Sequence, residues 1–213
     1  MNVLLTAFDP FGGEAINPAL EAVKQVRSKL AGITVIKLEV PTIFGKSIER
    51  LAQSIKEVQP DVVLCIGQAG GRFGISVERV AINLDDARIP DNEGNQPVDT
   101  KIVESGPPAY FSTLPIKAMV EAIKNQGIPS SISNTAGTFV CNHLMYGALH
   151  ILSSSEKPAR GGFIHVPFIP SQVVSRPNVP SMALSDIVTA LEAAIMAIGA
   201  HDEDVKVSGG REF

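Results

Sequence analysis

Val62-Val63-Leu64-Cys65-Ile66, followed at once by Gly67-Gln68-Ala69-Gly70-Gly71-Arg72-Phe73-Gly74, is the stretch on which the fold turns. Five consecutive apolar residues suit a strand buried on both faces. A glycine-rich loop directly behind such a strand is where an open α/β sheet presents its ligands.

The same alternation extends in both directions. Upstream, Ile48, Leu51, Ala52 and Ile55 recur at helical spacing, and Pro60 closes that helix. Ile33 to Val40 reads as a strand. Asn17-Pro18 reads as an N-cap followed by proline at the first helical position, with Ala19, Ala22, Val23, Val26 and Leu30 on the buried face. Val3 to Ala7 is the first buried strand and ends at Asp9-Pro10-Phe11-Gly12-Gly13.

Downstream, Ile75 to Leu84 is extended and rich in β-branched residues. Asp85 to Pro108 is a long polar segment, a length that in a compact domain marks a functional or mobile loop. Ile116, Met119, Val120 and Ile123 define a helix ended by Gly127. Ser130 to Ser133 is a strand. Val140 to Leu152 is a helix apolar nearly all round, and therefore buried. Gly162 to Val166 is a strand, and Leu184 to Ile198 carries the stripe of the last helix. Residues 201–213 read as a loose polar tail.

Strand and helix alternating in this way predict a single domain over 1–213. It is an α/β/α three-layer sandwich with an open, mostly parallel, twisted sheet. The bulk numbers agree. The chain has 213 residues, 45% hydrophobic and 19% charged, with a net charge of −4. It carries no basic block, which argues against nucleic acid or an anionic membrane as partner. Asp9-Pro10 cuts the first apolar run too short for a signal peptide, and Asp186 and Glu192 interrupt the last one. Two cysteines without metal-type spacing favour free thiols and a cytoplasmic location.

If the strands run parallel, four loops meet at one edge: Phe8 to Gly13, Gly67 to Gly74, Asn134 to Cys141 and His165 to Pro170. Cys141 opens the buried helix. There, unpaired N–H groups and the positive end of the dipole favour the thiolate and could hold an oxyanion. The plain alternative is a small buried apolar residue. Cys65, in mid-strand, reads as core.

A nucleophilic cysteine needs a base. His143 projects from another side of the helix, His150 is too far along it, and His201 lies in the tail. His165, at a strand end, remains. A carboxylate would orient its imidazole, and Glu78, Asp85 and Asp86 all compete for that role. Gly45-Lys46-Ser47 is no P-loop, because Val40 stands where the first glycine belongs. Gly67 to Arg72 has the glycines of a dinucleotide loop, but an extended segment follows where a helix is required.

Six segments taken together resemble the pyroglutamyl peptidase I (pyrrolidone carboxyl peptidase) family of cysteine peptidases. They are Phe8-Asp9-Pro10-Phe11-Gly12, Gly67-Gln68-Ala69-Gly70-Gly71-Arg72 and Glu78-Arg79-Val80-Ala81-Ile82-Asn83. Further on come Asp86-Ala87-Arg88-Ile89-Pro90-Asp91, Ala136-Gly137-Thr138-Phe139-Val140-Cys141-Asn142 and Phe163-Ile164-His165-Val166-Pro167. The resemblance implies a triad of Cys141, His165 and Glu78, with Arg88 beside the oxyanion site. It implies that Phe8, Phe11 and Phe139 wall the pyroglutamyl pocket, with Gln68 nearby. It also implies a peptide substrate with an N-terminal pyroglutamate, no metal or cofactor, and a homotetramer. Two other readings keep the fold: a nucleoside phosphorylase-like enzyme using Arg88 and the Gly67 to Gly74 loop for phosphate, and a non-catalytic small-molecule binder.

Overall fold

A computed structural model describes residues 1–210. In chain order it runs β1 (Asn2–Phe8), α1 (Pro18–Gln25), β2 (Lys29–Leu30), β3 (Ile33–Val40), α2 (Lys46–Val58), β4 (Val62–Gln68), β5 (Ile75–Glu78) and β6 (Val80–Ile82). It continues with β7 (Ala109–Phe111), α3 (Ile116–Lys124), β8 (Ser130–Ser133), α4 (Val140–Ser153), β9 (Arg160–Val166), α5 (Pro170–Val173) and α6 (Leu184–Ala200). The main sheet has the order β2-β3-β1-β4-β9-β5-β8.

The pleat sorts the strands' side chains between two cores. Val3, Leu5, Ala7, Val62, Leu64, Ile66, Ile164 and Val166 pack with residues of α1, α3 and α6. Leu4, Phe8, Val63, Cys65 and Phe163 pack on the other face with α2 and α4. Alternate residues of a strand point to opposite faces, so strands covered on both sides must be apolar throughout. That makes the expected three-layer α/β/α sandwich with a mostly parallel sheet.

Three local readings change. The first helix ends at Gln25, so Leu30 reaches the core from β2 instead of from a helix. The extended stretch after Ile75 divides at Arg79. β5 stays in the main sheet, while β6 pairs with β7 in a separate ribbon. Lastly, β5 runs antiparallel to β9, and β8 follows β5. Three of the four expected loops therefore leave one parallel edge, and the 134–141 segment reaches it from a reversed strand.

The long 85–108 segment has no regular element but is stitched to the scaffold. Asp85 and Thr100 bond each other's backbone, and Asn83 bonds the backbone of Ile102, Val103 and Gly106. Tyr146 donates to the Pro107 carbonyl. Within the tail, residues 201–210 are irregular, yet Asp204 accepts the Lys117 and Ala118 N–H groups at the start of α3. Residues 211–213 lie outside the described part. Among the described residues, no helix is long and apolar enough to cross a membrane.

Candidate active site

β4, β9 and α4 converge at one point. Gly67 is in parallel register with His165 on the next strand. A Cβ on Gly67 would lie 2.9 Å from Cys141 Sγ and 2.7 Å from the Phe163 ring. The missing side chain is what lets the first turn of α4 settle onto the sheet, with the sulfur over Gly67, the register partner of His165. No side chain caps α4. The side chain of Asn142, its third residue, turns away to bond Ile82 and Leu84. The N–H groups of Val140, Cys141 and Asn142 are thus left without helical partners.

The reversed β5 supplies the carboxylate. Ser76 pairs with His165 and Glu78 with Phe163, so Glu78 and His165 project to the same face of the sheet, two positions apart. The His165 Nδ1–H donates to Glu78 Oε1 over 2.7 Å. Glu78 is fully buried and His165 is 3% exposed. This bond makes Nδ1 the protonated nitrogen and leaves Nε2 with the lone pair. Asp85, one of the competing acids, instead accepts from His143 Nδ1 over 2.7 Å, and His143 Nε2 in turn accepts the Gly45 N–H. Asp86 lines the cavity away from that bond.

Arg72 is the residue the sequence left without a role. Its guanidinium donates to the same Glu78 Oε1 over 2.7 Å and is 31% exposed. The available signal was a lone arginine closing a glycine loop, six residues before an acid otherwise set among apolar neighbours. Burial pushes the Glu78 carboxyl up, but the bond and charge of His165, with Ser133 and Arg72, outweigh it and hold the carboxyl below its usual range. Burial dominates for His165, which is pushed below the ordinary imidazole value. Burial and then the Glu78 charge push the Cys141 thiol up to about 12. Burial opposes the thiolate that the helix terminus favours. Burial thus acts against the charged form of each group.

Cys141 and His165 lie in the wall of a cavity of about 510 Å³, together with Phe11, Gln68, Arg88 and Phe139. Phe8 does not reach it. Phe8 is 1% exposed and packs on Phe163 in the core, as the pleat requires for a strand residue beneath α4. Phe11 and Phe139 lie 6.2 Å apart, within ring contact, so they form one continuous wall instead of two facing ones. Phe44 supports that wall edge-on behind Phe139. Asp9 and Asp91 tie the rim together: Asp9 accepts from Thr42 and Asn92, and Asp91 from the Phe44, Glu93 and Asn95 N–H groups.

Comparison with known proteins meets this geometry from outside. The family model described as pyroglutamyl peptidase matches residues 1–201. A pyrrolidone-carboxylate peptidase of Clostridium perfringens (strain 13 / Type A) is 62% identical over 210 residues, 99% of each chain. One from Finegoldia magna is 58% identical over 211 residues, again 99% of each. Among solved structures, pyroglutamyl peptidase I from Bacillus amyloliquefaciens superposes with a TM-score of 0.94 at 50% identity, covering 97% of this chain and 99% of that one. A mutant pyrrolidone carboxyl peptidase from Pyrococcus furiosus gives 0.90 at 43% identity, covering 94% and 99%. Likeness of this extent, through the sheet, the buried helix and the tied rim alike, places the chain in the pyroglutamyl peptidase family.

Proposed function

We propose that the protein is a cysteine exopeptidase that removes an N-terminal pyroglutamyl residue from peptides, with Cys141, His165 and Glu78 as its catalytic residues. The observation that carries this reading is the seating of Cys141 Sγ on Gly67, next to the His165–Glu78 pair and at an uncapped helix N-terminus.

The chemistry starts at the Cys141–His165 pair. His165 Nε2 takes the Cys141 proton as the sulfur attacks the pyroglutamyl carbonyl carbon. The oxyanion that forms meets the free N–H groups at the start of α4, with Arg88 beside them. Glu78 stabilises the imidazolium created in this step and keeps the ring in the required tautomer. His165 then protonates the departing amine, leaving a thioester on Cys141. Water, deprotonated by His165, attacks the thioester carbonyl, and pyroglutamate leaves with the thiol restored.

The pocket chemistry fits a flat neutral lactam. Phe11 and Phe139 supply an apolar surface, and the cavity volume lies within the range of small-molecule sites. The phosphorylase and binder readings leave the alignment of Cys141, His165 and Glu78 without a role. Two unpaired thiols suit a reducing, cytoplasmic setting, and a homotetramer belongs to the same proposal.

The test is release of a fluorescent amine from a pyroglutamyl amide, run beside prolyl and glutaminyl amides. Cys141→Ala is expected to abolish turnover while keeping a cooperative thermal transition. Alkylation should block activity through Cys141 and spare the buried Cys65, whose thiol burial also raises to about 12. Substantial turnover by Cys141→Ala would overturn the assignment.

A further inference from the structure

Against Gln68, which lines the cavity, sits a second amide whose orientation is fixed by its neighbours. Gln172, on the short α5 helix, is buried. Its Oε1 accepts the Ile169 N–H over 3.1 Å. Its Nε2 donates toward Glu14 Oε2 at 3.3 Å and the Ile16 carbonyl at 3.5 Å. A backbone N–H can only donate, and a carboxylate or carbonyl can only accept. These partners therefore decide which end of the Gln172 amide is oxygen and which is nitrogen. Glu14 is itself held by Arg176, whose guanidinium lies 5.3 Å from the centre of the Phe168 ring on the cavity wall.

The same Nε2 lies 3.2 Å from Gln68 Oε1. Gln172 thus dictates the orientation of a second amide. Gln68 is half-buried, lines the cavity, and has its oxygen occupied, so its amino group is the end left to present. We propose that Gln172 is a positioning residue that holds Gln68 with its NH₂ toward the cavity, making Gln68 a donor for the ring carbonyl of the lactam. This inference rests on the proposed pyroglutamyl activity and adds to it a source of ring selectivity. A pyroglutamyl ring carries that carbonyl and a prolyl ring does not. A site built around a fixed donor discriminates against a ligand that leaves the donor unpaired. An amide free to flip would offer donor and acceptor alternately and lose that discrimination.

The experiment is a double-mutant cycle with Gln172→Leu, Gln68→Leu and the pair. The readouts are kcat and KM on a pyroglutamyl amide and competitive inhibition by 2-pyrrolidone, the bare ring. Each single change is expected to raise KM and the inhibition constant about tenfold, the worth of one hydrogen bond to a neutral partner, with kcat changed less. The pair should be no worse than Gln68→Leu alone, since Gln172 acts through Gln68. Thermal unfolding accompanies each variant, and Gln172→Ala replaces Gln172→Leu if the latter fails to fold. Additive effects in the cycle, or an unchanged inhibition constant, would overturn the positioning role while leaving the peptidase reading intact. If the wild-type protein cleaves no pyroglutamyl amide, the peptidase reading fails instead.

Discussion

At the scale of single residues, one carboxylate oxygen does two jobs. Glu78 Oε1 accepts both from His165 and from Arg72, so the acid proposed to orient the base is also tied to the cavity rim. The positive charge of Arg72 helps hold both the Glu78 carboxyl and the His165 imidazolium at lowered pKa. Arg72→Gln removes that influence, and both groups then take up protons at higher pH. The acid limb of the kcat/KM profile is expected to move to higher pH, with the smallest loss at neutral pH and above. The lost charged hydrogen bond should cost about 1–3 kcal/mol of stability. An acid limb that stays in place would mean that Arg72 is electrostatically irrelevant to the pair.

At the scale of elements, the decisive contact is between the end of β4 and the start of α4. Gly67→Ala would push a methyl group into Cys141 Sγ and the Phe163 ring. Overpacking of this kind costs about 1–3 kcal/mol. Moving a nucleophile by about an ångström costs about a hundredfold in rate. Activity is therefore expected to fall much further than stability, and a fully active Gly67→Ala would show that the helix can shift without penalty. This contact also marks what the sequence could tell. Apolar runs and helical stripes located β1, β3, β4, α2, α4 and α6, because burial on two faces leaves a composition that can be read directly. The two-residue β2, the β7 ribbon and the four-residue α5 are too short to carry a period. The split at Arg79 was equally invisible, since neither half of Ile75 to Leu84 differs in propensity. Cys141 and His165 were reachable by elimination among few candidates. Glu78 was not, because the direction of β5 is set by pairing and not by composition. Phe8 and Phe11 look alike in sequence, and only the pleat sends the first into the core.

At the scale of the whole molecule, burying the His165–Glu78 pair links stability to pH. An unfolded chain takes up its histidine proton near 6.5 and its glutamate proton near 4.5, whereas both folded groups resist protonation. Below each ordinary value the unfolded state therefore binds more protons. Stability contributed by these groups is full above about 6.5 and drains away as pH falls through the folded values. The melting temperature is expected to decline on acidification from that point. His165→Asn should remove the upper part of the decline. Matching wild-type and variant profiles would place the effect elsewhere.

The reversal of β5 and β8 has its own bearing on how this enzyme would fail under heat. A loop-borne acid can drift before the scaffold melts, so that turnover dies early. Glu78 is instead laddered on both sides, to Ser133 and to Phe163. Its aim at His165 is as stiff as the sheet around it. Thermal inactivation and loss of far-ultraviolet ellipticity should accordingly follow a single curve, and the working ceiling of the catalyst would be the melting point of its sheet.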